Sequence, residues 1–148
     1  MRKSSGALAL MNLLLAAALL MLALAGARLY GRTLDIRREN TRLRSALGYI
    51  QSQVGAAGFS RVELRQGPEG VMLCIPEGST DYETRVFAWE GQLYSQFAPK
   101  DGAVDPADSQ ALCEISAFSL TARGELLEIR ADGKMGFAWC RGGIRNET

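Results

Sequence analysis

From Ala7 through Ala27 the chain carries no charged side chain, and Asn12 is the only strongly polar residue in the run. A helix rises about 1.5 Å per residue, so a run of this length spans roughly 31 Å, close to the hydrocarbon thickness of a bilayer. A chain of 148 residues has room for one compact domain of about 100 residues besides such a segment. A domain that small rarely buries so long an uncharged helix, and the run reads as a membrane span. It also resembles a secretory signal, because Arg2 and Lys3 precede it and Ala23, Ala25 and Ala27 lie near its end. Its length exceeds the apolar region of about 7–15 residues typical of a cleaved signal, and the helical pattern continues past it, which favours retention.

The charges divide unevenly along the chain. Met1 to Arg44 holds eight Arg or Lys residues against Asp35 and Glu39, a net of +6, whereas Ser45 to Thr148 holds nine against fourteen, a net of −5. A basic stem thus precedes a mildly acidic head. Basic residues beside an apolar helix point to lipid headgroups, and the head has no basic patch with interleaved aromatics, so no nucleic acid is expected as a partner. Orientation is contested within the sequence itself. Arg28, Arg32, Arg37, Arg38, Arg42 and Arg44 follow the span, which by charge alone places the C-terminal head in the cytoplasm, while a short N-terminal anchor is common in proteins that export the body of the chain.

Beyond the span, Ile36, Leu43, Leu47, Ile50 and Val54 fall on one face of a continuing helix, with Arg37, Arg38, Glu39, Arg42, Arg44, Gln51 and Gln53 over most of the rest. Pro is absent before Pro68, and Gly55-Ala56-Ala57-Gly58 supplies a stop. The pattern predicts one helix of about 45–50 residues, half in lipid and half amphipathic. Leu43, Leu47, Ile50 and Val54 are expected to form its packing face, against the chain's own strands in preference to a coiled coil, for which the stripe is short.

From Arg61 onwards the pattern is one of short strands: Arg61–Arg65, Val71–Ile75, Tyr82–Trp89, Gln92–Phe97, Leu112–Leu120, Leu126–Ala131 and Lys134–Cys140. Glu90-Gly91 and Asp132-Gly133 are two-residue hairpin connectors. Alternation near the C-terminus sets Leu127, Ile129, Met135, Phe137 and Trp139 inward, against Glu128, Arg130 and Lys134, with Phe118, Ile129, Phe137 and Trp139 as expected partners of the stem. The predicted fold class is α+β, a long N-terminal helix packed on an antiparallel sheet. The expected divisions are a basic leader over 1–6, a transmembrane helix over 7–30, an amphipathic stem over 31–58 and a sheet domain over 59–148.

Chemistry is sparse. With no histidine the usual general base and imidazole ligand are missing, and no phosphate-binding, dinucleotide or nucleophile-elbow motif occurs. Cys74, Cys113 and Cys140 lack metal-ligand spacing and are odd in number. One disulfide among them would suit an extracellular setting, and the sequence does not select a pair. Asp101, Asp105 and Asp108 sit in the longest irregular stretch, read as solvated turn residues rather than a calcium loop. No enzyme activity, metal, cofactor or small-molecule substrate is expected.

Three stretches carry a resemblance: Arg38-Glu39-Asn40-Thr41-Arg42-Leu43-Arg44-Ser45-Ala46-Leu47-Gly48-Tyr49-Ile50, Val86-Phe87-Ala88-Trp89-Glu90-Gly91-Gln92-Leu93-Tyr94, and Cys113-Glu114-Ile115-Ser116-Ala117-Phe118. Together with the anchor they resemble an uncharacterised family of Gram-positive bacteria known as a domain of unknown function (family 4860), itself similar to type IV pilin-like proteins and competence-type minor pseudopilins. The resemblance implies a pilin-like fold, leader processing between Gly6 and Ala7, an exported head at the cell membrane, and other pilin-like subunits or envelope proteins as partners besides the bilayer. One departure from the pilin pattern is plain: the fifth residue after Gly6 is Met11, where pilins carry Glu. The expected function is a non-enzymatic, membrane-anchored minor subunit of a pilus-like or secretion-type assembly. The alternative is a single-pass envelope scaffold of the cell-division type acting through a coiled-coil stem.

Overall fold

A computed structural model describes residues 3–147, with the side chains of residues 3–5, 34 and 36 excepted. Met1 and Arg2 of the basic leader, the side chains of its residues 3–5 and the side chain of Ile36 therefore lie outside the described residues. The fold class is α+β: the described residues form one long helix, α1 (Lys3–Ala56), followed by nine strands. The chain divides into two compact units, Met1–Arg38 and Glu39–Thr148.

Among its described residues the first unit is helix alone. Every residue from Gly6 to Ala27 is exposed, its leucines to between 55% and 75%. Nine exposed leucines, worth roughly −0.3 to −0.6 kcal/mol each on entering a bilayer centre, together favour insertion by roughly 3–5 kcal/mol. By length and composition this helix is apolar enough to cross a membrane.

In the second unit the last turns of α1 lie at the centre of the core. Leu43, Ala46, Leu47, Ile50 and Val54 recur at helical spacing, and all are buried. The helix ends where Gly58 adopts φ +60°, a left-handed conformation that glycine takes without Cβ strain.

Six strands form the larger sheet, in the order β5 (Gln110–Glu114), β4 (Gln92–Pro99), β3 (Tyr82–Trp89), β2 (Gly70–Pro76), β1 (Val62–Gly67) and β9 (Ile144–Asn146). A three-stranded sheet is ordered β6 (Phe118–Arg123), β7 (Leu126–Ala131) and β8 (Lys134–Trp139). The expectation of one antiparallel sheet is corrected in two respects. The strands split between two sheets, and β9 pairs with β1 in parallel, Val62 opposite Ile144. The expected Leu112–Leu120 strand is interrupted because Asp132 Oδ1 accepts hydrogen bonds from Ser116 N and Ala117 N, both 2.8 Å, fixing the turn between β5 and β6. Both expected hairpin connectors have paired positive φ, 46° and 72° at Glu90-Gly91 and 46° and 76° at Asp132-Gly133.

Thr84, Val86 and Ala88 on β3 alternate with Glu83, Arg85 and Phe87, and all six are buried. The larger sheet is therefore covered on both faces. Val86 and Ala88 join the helix-side core with Leu73, Ile75, Leu93 and Ile129. Phe87, Met72 and Cys74 form a smaller cluster on the opposite face, against which Trp89, Tyr94 and Val104 pack.

Candidate functional site

The four stem residues singled out by sequence, Leu43, Leu47, Ile50 and Val54, all sit in the helix-side core. Tyr49 adds a polar tie, its hydroxyl 3.0 Å from Ser95 Oγ on β4. Their expected strand partners divide. Ile129 is in the same core and Phe118 is half-buried against it, but Phe137 and Trp139 point away and are 49% and 60% exposed. The expected inward set on β8 is thus reversed: Gly136 and Ala138 are buried, while Met135, Phe137 and Trp139 face solvent.

The reason is the closeness of α1. A Cβ built on Gly136 would lie 3.4 Å from Gln51 Nε2 and 3.8 Å from Leu47 Cδ2, so only a small residue lets the helix approach there. Size alternation, large-small-large through Phe137-Ala138-Trp139, was the sequence signal for this register.

Cross-strand pairing extends the outward β8 row across the small sheet, placing Trp139 beside Leu126, Phe137 beside Glu128 and Met135 beside Arg130. Glu128 is 4% exposed yet lies on this face, held by Arg123 on β6 (3.1 Å) and by Arg130. Two cations on one covered carboxylate satisfy its desolvation.

The larger sheet hides a second charged network that sequence reading missed. Arg85 is 2% exposed, and each of its five N–H donors has an acceptor. Nε donates to Glu83 at 2.7 Å, Nη1 to the carbonyls of Gly102 (2.7 Å) and Ala103 (3.3 Å), and Nη2 to those of Pro99 (2.8 Å) and Lys100 (2.9 Å). Glu83 also accepts from Arg65, which in turn pairs with Glu63. The irregular stretch after β4 is therefore ordered around a guanidinium, with its carbonyls already engaged. Of its carboxylates, Asp105 accepts from Ala107 N at 2.8 Å and caps a short 3-10 turn, Pro106–Asp108.

Turns collect at the end of the head where Glu39 lies. Glu39, Glu90, Glu114 and Asp132 line a hollow of about 300 Å³ with Gln92 and Ser116. Among the described residues no group of three or more His, Cys, Asp or Glu is arranged to hold a metal ion.

The three cysteines are free and buried. Burial, reinforced by Glu83, pushes the Cys74 thiol up to about 12. Burial alone raises Cys140 to about 11, and burial followed by Asp132 raises Cys113. Such thiols remain protonated at neutral pH and are poor nucleophiles. Gly6 and Ala7, the expected processing site, are exposed within the early part of α1.

Among the described residues, candidate surfaces for recognition include the β8 row, flanked by Arg123 and Arg130, and the exposed apolar helix. No curated protein and no solved structure matches the chain. Residues 41–134, from the stem to the start of β8, match the family model described as Domain of unknown function (DUF4860), and the chain belongs to that family.

Proposed function

We propose that the protein is a non-enzymatic subunit of a pilus-like or secretion-type envelope assembly, anchored in the cell membrane by residues 7–27 with its head exported. The observation that supports this reading is the use of the stem. A scaffold working through a coiled coil must keep an apolar stripe free for another chain. Here Leu43, Leu47, Ile50 and Val54 are all buried within the head's own core. A helix that is exposed and apolar at one end and a core element of a β-rich head at the other is the pilin-like arrangement that the sequence resembles. Other pilin-like subunits or envelope proteins are the partners in this reading, and the outward β8 row offers them a contact surface.

Two measurements test it. Alkaline phosphatase fused to the C-terminus should be active and a cytoplasmic fluorescent reporter dark. Co-expression with a prepilin peptidase should yield a membrane-bound form beginning at Ala7. A cytoplasmic head would remove the pilin-like reading, and a form beginning at Arg28 would show signal-peptide removal and a protein without an anchor.

A further inference from the structure

We infer that Arg28 and Arg32 form a headgroup clamp that selects anionic phospholipid next to the anchor; this rests on the membrane reading above. The two arginines lie one turn apart on the same face of α1, immediately after the apolar run ends at Ala27. At about 1.5 Å per residue they stand within roughly 8 Å of the end of that run, the depth of the polar layer that flanks the hydrocarbon. Both are exposed, and among the described residues neither has an ion-pair partner. Like charges at this spacing repel and weaken a helix on their own. A phosphodiester between them removes that repulsion and accepts from both guanidinium forks. Leu29 and Tyr30, each 67% exposed, sit between the two at the level where aromatic side chains settle in a bilayer.

The surrounding charge favours the same ligand. Residues 28–38 contain Arg28, Arg32, Arg37 and Arg38 against Asp35 alone, a net of +3. Thr33 Oγ1 donates to Leu29 O at 3.0 Å, so its hydroxyl is turned back onto the helix. A zwitterionic headgroup brings its own cation into this field, whereas an anionic headgroup does not. The clamp acts in whichever leaflet the C-terminal end of the span occupies.

The test uses the full-length protein and Arg28→Gln/Arg32→Gln reconstituted in vesicles of phosphatidylcholine containing about one-quarter phosphatidylglycerol. Electron spin resonance with spin-labelled lipids reads the protein-associated fraction of each headgroup. Wild type should prefer phosphatidylglycerol roughly threefold to fivefold over phosphatidylcholine, with the preference falling as salt rises. The double variant should lose most of this preference, keeping only the weak share due to Arg37 and Arg38, while still floating with the vesicles. Equal selectivity in the two proteins, or none in wild type, overturns the clamp. Inorganic phosphate should weaken the preference only as much as chloride at equal ionic strength; abolition at much lower strength would mark a free-phosphate site and overturn the lipid assignment. Failure of wild type to float would overturn the anchor itself, a result separate from any loss of selectivity.

Discussion

Gln51 on α1 donates from Nε2 to the backbone carbonyl of Phe137 at 2.8 Å, closing the outer edge of β8 against the helix. An edge strand left open invites pairing with another chain, and here the stem's polar flank covers part of it. Gly136, beside Phe137, is the residue that allows this approach. Gly136→Leu should destabilise the head by about 1–3 kcal/mol or more through overpacking. Gly136→Ala should be far milder, because its Cβ would meet mainly the end of the flexible Gln51 side chain. Urea unfolding of both variants measures the difference.

The outward register of β8 has its own consequence. Phe137→Thr should leave the midpoint of thermal unfolding nearly unchanged, because the ring is half-exposed and threonine suits a strand. Leu47→Asp or Ile50→Asp should unfold the same head as a monomer. Truncating a packed Leu or Ile costs about 2–5 kcal/mol, and an unpaired buried carboxylate adds to that. Circular dichroism melting with size-exclusion chromatography reads both. A stem mutant that melts like wild type and loses only association would revive the scaffold reading.

Arg85→Lys preserves the charge but not the five-donor fork, so most of the loop carbonyls gathered around it lose their donor. The expected loss is about 3 kcal/mol or more, by analogy with broken buried pairs. Hydrogen exchange should rise first between Pro99 and Asp105, ahead of the strands. Uniform exchange would show that Arg85 does not order this loop.

The thiols predict the behaviour in alkali. Cys74 and Cys140 titrate at about 12 and about 11 in the folded head, above the ordinary thiol range. The unfolded chain therefore releases these protons first. Their contribution to stability is intact below about pH 9 and is lost progressively as pH rises towards the folded values. The melting temperature should fall over that window, and a thiol reagent at pH 8 should label the cysteines only after denaturant is added.

Periodicity exposed much of this fold, and its failures have local causes. The stripe at Leu43, Leu47, Ile50 and Val54, the two positive-φ hairpins and the apolar run were legible because each follows from spacing or from one residue's conformational freedom. The β8 register was not, since Met135, Phe137 and Trp139 rank as core residues on hydrophobicity alone; it is the space required by α1 over Gly136 that turns them outward. Strand β9 is only three residues long, and its parallel pairing with β1 depends on a contact remote in sequence. The Glu83–Arg85 pair lies in a strand buried on both faces, where a charged residue reads as a solvent position until the loop that covers it is seen. The candidate surfaces followed the same division, with the stem face legible and the β8 row hidden by the wrong parity.

The most direct measurement is alkaline carbonate extraction of membranes from cells expressing the full-length protein, run beside a form lacking residues 1–30. With an anchor at residues 7–27 the full-length protein stays in the membrane pellet, and the shortened form is soluble and folded by near-ultraviolet circular dichroism. Full-length protein released into the supernatant would contradict membrane anchoring and the assembly role that depends on it.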